Sequence, residues 1–256
     1  MIGRRAFGIG LVAGGIAATA TRPAAAQERP RARNAVLVHG AYADGSCWSD
    51  VIAHLQRAGL NVAAVQNPLR SLEEDCAFAR RTLALQDGPT VLVAHSYGGE
   101  VITEIGVDPK VSALVYCAGR APDANEDYPA LARTYPAPPA HAGIVRNGGF
   151  AQLSEETFLR DFAGDIERTR ARVLYAVQGR IADTLFDARV TQAAWRAKPS
   201  FYQISSQDRT INPDLQRFMA RRMNARTINL PASHLGIISH AREIAALILE
   251  AAGVSA

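Results

Sequence analysis

The sequence predicts an α/β fold with a mostly parallel six-stranded sheet, helices on both faces and a small helical cap. Three observations carry that prediction. Short β-branched runs, apolar throughout, alternate with longer amphipathic stretches. The alternation breaks once, over about residues 120–195, and then resumes in the same form. Strands apolar on both sides need cover on both faces, which helices supply in a parallel sheet.

The elements follow in chain order. Ala35-Val36-Leu37-Val38 reads as a buried strand, followed by a loop of small residues. Trp48, Val51, Ile52 and Leu55 have the spacing of one helix face, and Gly59 ends that helix. Asn61–Val65 is the second strand and Leu72–Leu85 the next helix, stopped by Asp87-Gly88-Pro89. Thr90–Ala94 is a continuous apolar strand, Gly98–Ile105 a helix and Val111–Cys117 a fourth strand. Residues 120–195 are richer in Pro, Gly and charge, with helical stretches near Ser154–Phe162 and Ile166–Tyr175 and no clear strand. Such an insertion reads as a cap over the carboxyl edge of the sheet. Ser200–Ser205, a helix from about Pro213 to Asn224, Arg226–Leu230 and a last helix from His240 to Ala252 complete the domain.

The 256 residues are 48% hydrophobic, which suits a single core. Residues 1–26 stand apart from residues 27–256. Arg4-Arg5, an apolar run from Ala6 to Ala20 and Ala24-Ala25-Ala26 are the three parts of an export signal, with a twin-arginine start as one form. The run is shorter than the roughly 20 residues a spanning helix needs, so no stable membrane span is expected once the signal is removed. The expected location is periplasmic or secreted. Removing residues 1–26 takes away Arg4, Arg5 and Arg22 and no acid, so the net charge falls from +4 to +1. That near-neutral balance makes no case for nucleic acid or an anionic membrane as partner. No feature of the sequence specifies an oligomeric state. Cys47, Cys76 and Cys117 match no zinc spacing and read as small buried hydrophobes.

The chemistry lies at the ends of strands. In Val91-Leu92-Val93-Ala94-His95-Ser96-Tyr97-Gly98-Gly99 an apolar strand runs into a serine and then into glycines that open a helix. A tight strand–turn–helix exposes the serine hydroxyl as a nucleophile, provided the residues two before and two after are small. Ala94 stands where glycine is usual. An acid and a histidine should follow in that order, each after a later strand. Asp208 follows the strand ending at Ser205, and His234 follows Arg226–Leu230. His234 would take the Ser96 proton, and Asp208 would fix the imidazole tautomer. Asp183 and Asp187 compete for the acid role but lie in the insertion. The oxyanion donors should be the N–H of Tyr97 and, from the first loop, that of Ala41. His39 reads as holding that loop, and the His95 side chain should point away from Ser96 Oγ. Tyr42, Trp48, Tyr128, Phe150, Phe186 and Trp195 are candidate pocket walls, with plain core packing the alternative for each.

Taken together, Val36-Leu37-Val38-His39-Gly40-Ala41 with Trp48, Ala94-His95-Ser96-Tyr97-Gly98-Gly99, Gln207-Asp208-Arg209-Thr210-Ile211 and Ser233-His234 resemble the short α/β-hydrolases related to plant hydroxynitrile lyases and methyl-ester esterases. The resemblance runs through residues 35–252. It implies an α/β-hydrolase fold with a small cap, no cofactor or metal, and a small-molecule ester as substrate. The lyases carry Thr after the first-loop His and Lys after the catalytic His. Gly40 and Leu235 occupy those positions here and favour hydrolysis. The expected activity is a serine hydrolase acting on small to medium carboxylic esters. A lactonase, a C–C bond lyase or a non-catalytic ligand-binding homologue are the alternatives on the same fold.

Overall fold

The computed structural model describes residues 1–3 and 31–254. The export signal read from the first 26 residues falls on residues 4–26, outside the described residues.

The chain opens with β1 (Asn34–Val38), α1 (Ser49–Arg57), β2 (Asn61–Val65), α2 (Leu72–Ala84), β3 (Thr90–His95), α3 (Gly98–Ile105) and β4 (Val111–Cys117). The boundaries follow local chemistry. The Ser71 hydroxyl caps α2 by accepting from the N–H of Glu74, and Gly59 and Gly88 take the left-handed backbone after α1 and α2. Next comes the insertion: α4 (Tyr128–Ala132), β5 (Ile144–Asn147), β6 (Phe150–Leu153), α5 (Glu155–Thr157), a π-helical turn over Phe158–Phe162, α6 (Arg168–Ala176) and β7 (Ile181–Ala182). The α/β pattern then returns with β8 (Ser200–Ser205), α7 (Pro213–Arg222), β9 (Arg226–Leu230), α8 (Gly236–Ser239) and α9 (Ala241–Ala251).

Six strands form one sheet in the order β2-β1-β3-β4-β8-β9, and every pairing is parallel. Side chains alternate between the faces of a strand, yet all residues of β1, β3 and β8 are buried. Both faces are therefore covered: α1 packs with α9, and α2 with α3. Cys47, Cys76 and Cys117 are buried free thiols. Among the described residues no helix is long and apolar enough to cross a membrane.

The cap departs from the expectation of a purely helical insertion. β5, β6 and β7 make a second, antiparallel sheet. Asn147 pairs with Phe150 around Gly148-Gly149, both at positive φ (60° and 80°). Two consecutive left-handed residues make the tight hairpin turn that matches strand twist, and Gly-Gly adopts it without steric cost. The Asn-Gly-Gly signal is present in the sequence. The flanking strands hid it because they are four residues each and Ile144–Asn147 has no fully buried residue.

Candidate active site

The turn after β3 carries Ser96 at φ 53°, in the left-handed region that a serine rarely adopts. Three backbone hydrogen bonds hold it there. Its N–H donates to the Cys117 carbonyl (3.2 Å), and its own carbonyl accepts from Gly99 (3.0 Å) and Arg120 (2.9 Å). The glycines after it are steric requirements. A Cβ on Gly98 would stand 2.7 Å from the carbonyl oxygens of Val38 and His39, and one on Gly99 would overlap the Arg120 carbonyl. Ala94, fully buried in β3, fits the strand side of the turn without a glycine.

The loop after β1 packs directly on this turn. Gly40 approaches so closely that a Cβ there would lie 2.6 Å from Ser96 Cβ. His39 fixes the loop. Its Nε2 accepts from the Asn67 backbone N–H (2.9 Å), so the proton sits on Nδ1, which donates to the Gly40 carbonyl (2.8 Å). The Asn67 side chain closes the arrangement by donating to the His39 carbonyl (2.9 Å). Burial holds the His39 ring below the usual histidine value, opposed by its bond to Gly40.

Asp208 and His234 arrive from the loops after β8 and β9. His234 Nδ1 lies 2.7 Å from Asp208 Oδ2, with both side chains fully buried. The same oxygen accepts from Gln216 Nε2 (2.7 Å), while Oδ1 accepts from the N–H groups of Thr210 (2.7 Å) and Ile211 (3.0 Å). Four donors converge on one carboxylate, which fixes its orientation. With Nδ1 donating to Asp208, the neutral ring has Nε2 free as a base. That nitrogen is buried without a hydrogen-bond partner. The loop before it is anchored by Asp165, whose carboxylate accepts from the Ser233 N–H (3.0 Å) and hydroxyl and from Ser239 Oγ (2.7 Å).

Tyr97 follows Ser96 at the start of α3, where the first N–H groups of a helix have no intrahelical acceptor. Its phenol is fixed below the site by donating to Asp75 Oδ2 (2.8 Å), and Asp75 Oδ1 accepts from the Leu69 N–H (2.9 Å). Burial lifts the Asp75 carboxyl to about 6, against the opposing hydrogen bonds from Tyr97 and Leu69. Ala41 and Ser96 line one cavity of about 560 Å3 together with Tyr42, Tyr128 and Phe186.

The match to known proteins agrees with this geometry. Residues 35–247 fit the model of the alpha/beta hydrolase family. The chain belongs to that family. Over 131 residues it is 31% identical to a carbendazim hydrolyzing esterase of Nocardioides sp. (strain SG-4G), a match covering 46% of this chain and 53% of that esterase, about half its length. It is 25% identical to putative methylesterase 19 of Arabidopsis thaliana, over 85% of this chain and 96% of that one. A crystal structure of a pyrethroid hydrolase from Sphingobium faniae JZ-2 superposes with a TM-score of 0.71 at 21% identity, over 86% of this chain and 97% of that chain. At that identity the likeness speaks for the fold alone.

Within this α/β-hydrolase the other aromatic candidates lie elsewhere. Trp48 is fully buried at the end of the turn that leads into α1, a core position, with Nε1 unpartnered. Trp195 is buried at the end of the insertion, its Nε1 donating to the Pro122 carbonyl (2.8 Å). Phe150 starts β6 at the outer hairpin and is 41% exposed. None of the three lines the cavity. Asp183 lies 3.7 Å from Arg146 in a loose surface pair, and Asp187 ends a short turn of the insertion.

Several residues that shape the site were not singled out from the sequence. Gln216 is fully buried on α7, accepting from the Ser205 N–H (3.0 Å) as well as donating to Asp208. A polar residue on the apolar face of that helix was the available signal. Arg120 lines the cavity three residues beyond β4, and a charge so soon after an apolar strand at the carboxyl edge of the sheet was its signal.

Proposed function

We propose that this protein hydrolyses small to medium carboxylic esters through an acyl intermediate on Ser96. Relatives named as esterases and hydrolases support carboxylic-ester hydrolysis as the general reaction. The serine mechanism is supported by one observation above all. A strained Ser96 and a buried Asp208–His234 pair with a free Nε2 stand at the carboxyl edge of one parallel sheet.

The chemistry follows from those positions. His234 Nε2 accepts the Ser96 proton as Oγ attacks the ester carbonyl, and Asp208 stabilises the imidazolium that forms. The developing oxyanion takes the N–H groups of Ala41 and Tyr97. His234 then returns the proton to the departing alkoxide, and a water activated by the same nitrogen cleaves the acyl-Ser96 ester. Apo enzymes often lack a short nucleophile–base bond, which forms when substrate is bound. Hydrolysis rather than cyanohydrin cleavage is supported by Leu235, a buried apolar side chain after the base, and by Gly40, which presents no side chain.

Replacing Ser96 by Ala tests the reading. Turnover of p-nitrophenyl butyrate should fall by at least roughly 10⁴-fold with the circular dichroism spectrum unchanged. Turnover close to that of the wild type would refute it.

A further inference from the structure

The cavity in front of Ser96 has an unusual wall for a neutral ester. Arg120, Arg133, Arg146 and His141 line it, and among the described lining residues there is no Asp or Glu. Arg120 is the most constrained of these. Its backbone N–H is bonded to the Ser96 carbonyl, so the side chain starts at the nucleophile turn itself. Its guanidinium lies over two aromatic rings, 3.9 Å from the centroid of Phe186 and 4.9 Å from that of Tyr128. Nη1 donates to Glu100 Oε1 at 3.0 Å, while Nε is buried with no partner.

Glu100 balances the formal charge, but it stands behind the wall. It is 3% exposed and does not line the cavity, whereas Arg120 does. The face seen by a substrate is therefore positive. Among the described residues Asp183 is the only carboxylate paired with Arg146, at 3.7 Å, and it too lies outside the lining. A buried ion pair seldom stabilises a fold better than apolar residues of the same shape. A guanidinium fixed in position and only partly satisfied by protein acceptors is instead suited to an oxyanion, which matches its planar fork of donors.

We propose that the ester substrate carries a second, anionic group, a carboxylate or similar oxyanion, which Arg120 receives in this cavity. The proposal rests on the ester-hydrolase reading above. Arg133 and Arg146 line the outer part of the same wall and steer the anion inward. Phe186, in contact with both the Arg120 guanidinium and the Tyr97 ring, ties the anion receptor to the residue after the nucleophile.

Two matched pairs of esters test this. Mono-(p-nitrophenyl) glutarate and its terminal carboxamide place the charge on the acyl side. The butyrates of 4-hydroxybenzoate and 4-hydroxybenzamide place it on the alcohol side. In at least one pair the wild type should prefer the anion in kcat/KM by tenfold or more, and added salt should reduce the preference. In the double variant Glu100→Gln/Arg120→Met, which removes both charges together, that ratio should collapse towards one. The ratio cancels any loss common to both esters. Should the variant fail to fold, the wild-type ratios and their salt dependence decide the matter. Neutral esters cleaved with no anionic preference in either pair would overturn the anion receptor and leave ester hydrolysis standing. No cleavage of any of the four would overturn both.

Discussion

His95 Nε2 lies 2.9 Å from the backbone carbonyl of His234, so the residue before Ser96 holds the residue proposed as base. A carbonyl can only accept, which puts the His95 proton on Nε2. Burial, and after it the neighbouring His234 ring, keeps the pKa of His95 well below the usual histidine value, so the ring stays neutral. The two rings stand 4.6 Å apart, and Phe162 packs on His234 at 5.0 Å. Loss of one buried hydrogen bond is worth about 1 kcal/mol net. His95→Leu should therefore lower kcat/KM on p-nitrophenyl butyrate roughly 5- to 20-fold without abolishing it. An unchanged value would show that the base is positioned by Asp208 and Phe162 alone.

Asp208 selects the tautomer of His234. In Asp208→Asn the carbonyl oxygen can still accept from Thr210 and Ile211, but the amide NH2 would face His234 Nδ1 and Gln216 Nε2. The ring would turn its lone pair towards the amide and its proton towards Ser96. We expect kcat to fall by about 10³–10⁴ with the fold retained, measured by steady-state kinetics alongside thermal melting. A drop of less than tenfold would argue for a different orienting group.

Gly40 is set by contact with Ser96. Gly40→Ala puts a methyl group where Ser96 Cβ and the His95 carbonyl, 3.0 Å from the new atom, already stand. The loop must move, and Ala41 moves with it. We expect a stability loss of about 1–3 kcal/mol and a fall in kcat of more than tenfold, with KM changed less. Threonine here, as in the lyases that the sequence resembles, would require the loop and turn to be set further apart. A Gly40→Ala variant with stability and kcat unchanged would contradict the steric argument.

Asp75 gives a pH signature. Its folded value of about 6 lies above the ordinary 3.8, so between those values the native state holds a proton that the unfolded chain has released. Stability therefore falls as pH rises through that window and stays lower above it. Asp75→Asn keeps an acceptor for the Leu69 N–H and has no charge to desolvate. Relative to wild type, the variant should gain on the order of 2–3 kcal/mol between pH 4 and pH 7.5, read from urea unfolding at both. A wild-type–variant difference that does not change with pH would contradict this.

The sheet was legible because its signals are local. All six strands of this sheet, β1, β2, β3, β4, β8 and β9, lie within a residue of their expected bounds, because each is a short run rich in β-branched or aromatic residues that ends in a turn signal. Ser96, Asp208 and His234 were located the same way, by chain order and strand ends, and the structure places them after β3, β8 and β9, with Asp208 and His234 in contact. The pocket walls were legible only in part: Tyr42, Tyr128 and Phe186 line the cavity, and Trp48, Phe150 and Trp195 do not. Whether Tyr42 or Trp48 faces a cavity depends on how the insertion settles over the sheet edge, and the turn that reverses the insertion, Gly148-Gly149, is flanked by strands too short and exposed to show a period. The environment of Arg120 has no local signature, because its partners, Glu100, Phe186 and Tyr128, come from three separate segments of the chain.

The central claim is that Ser96 is the nucleophile. Reaction of the native protein with a fluorophosphonate, followed by digestion and mass spectrometry, measures that directly. The account predicts one adduct, on Ser96, formed at a rate that drops at least 10³-fold in an Ala variant of His234. An adduct on another residue, or no adduct on native protein, would contradict it.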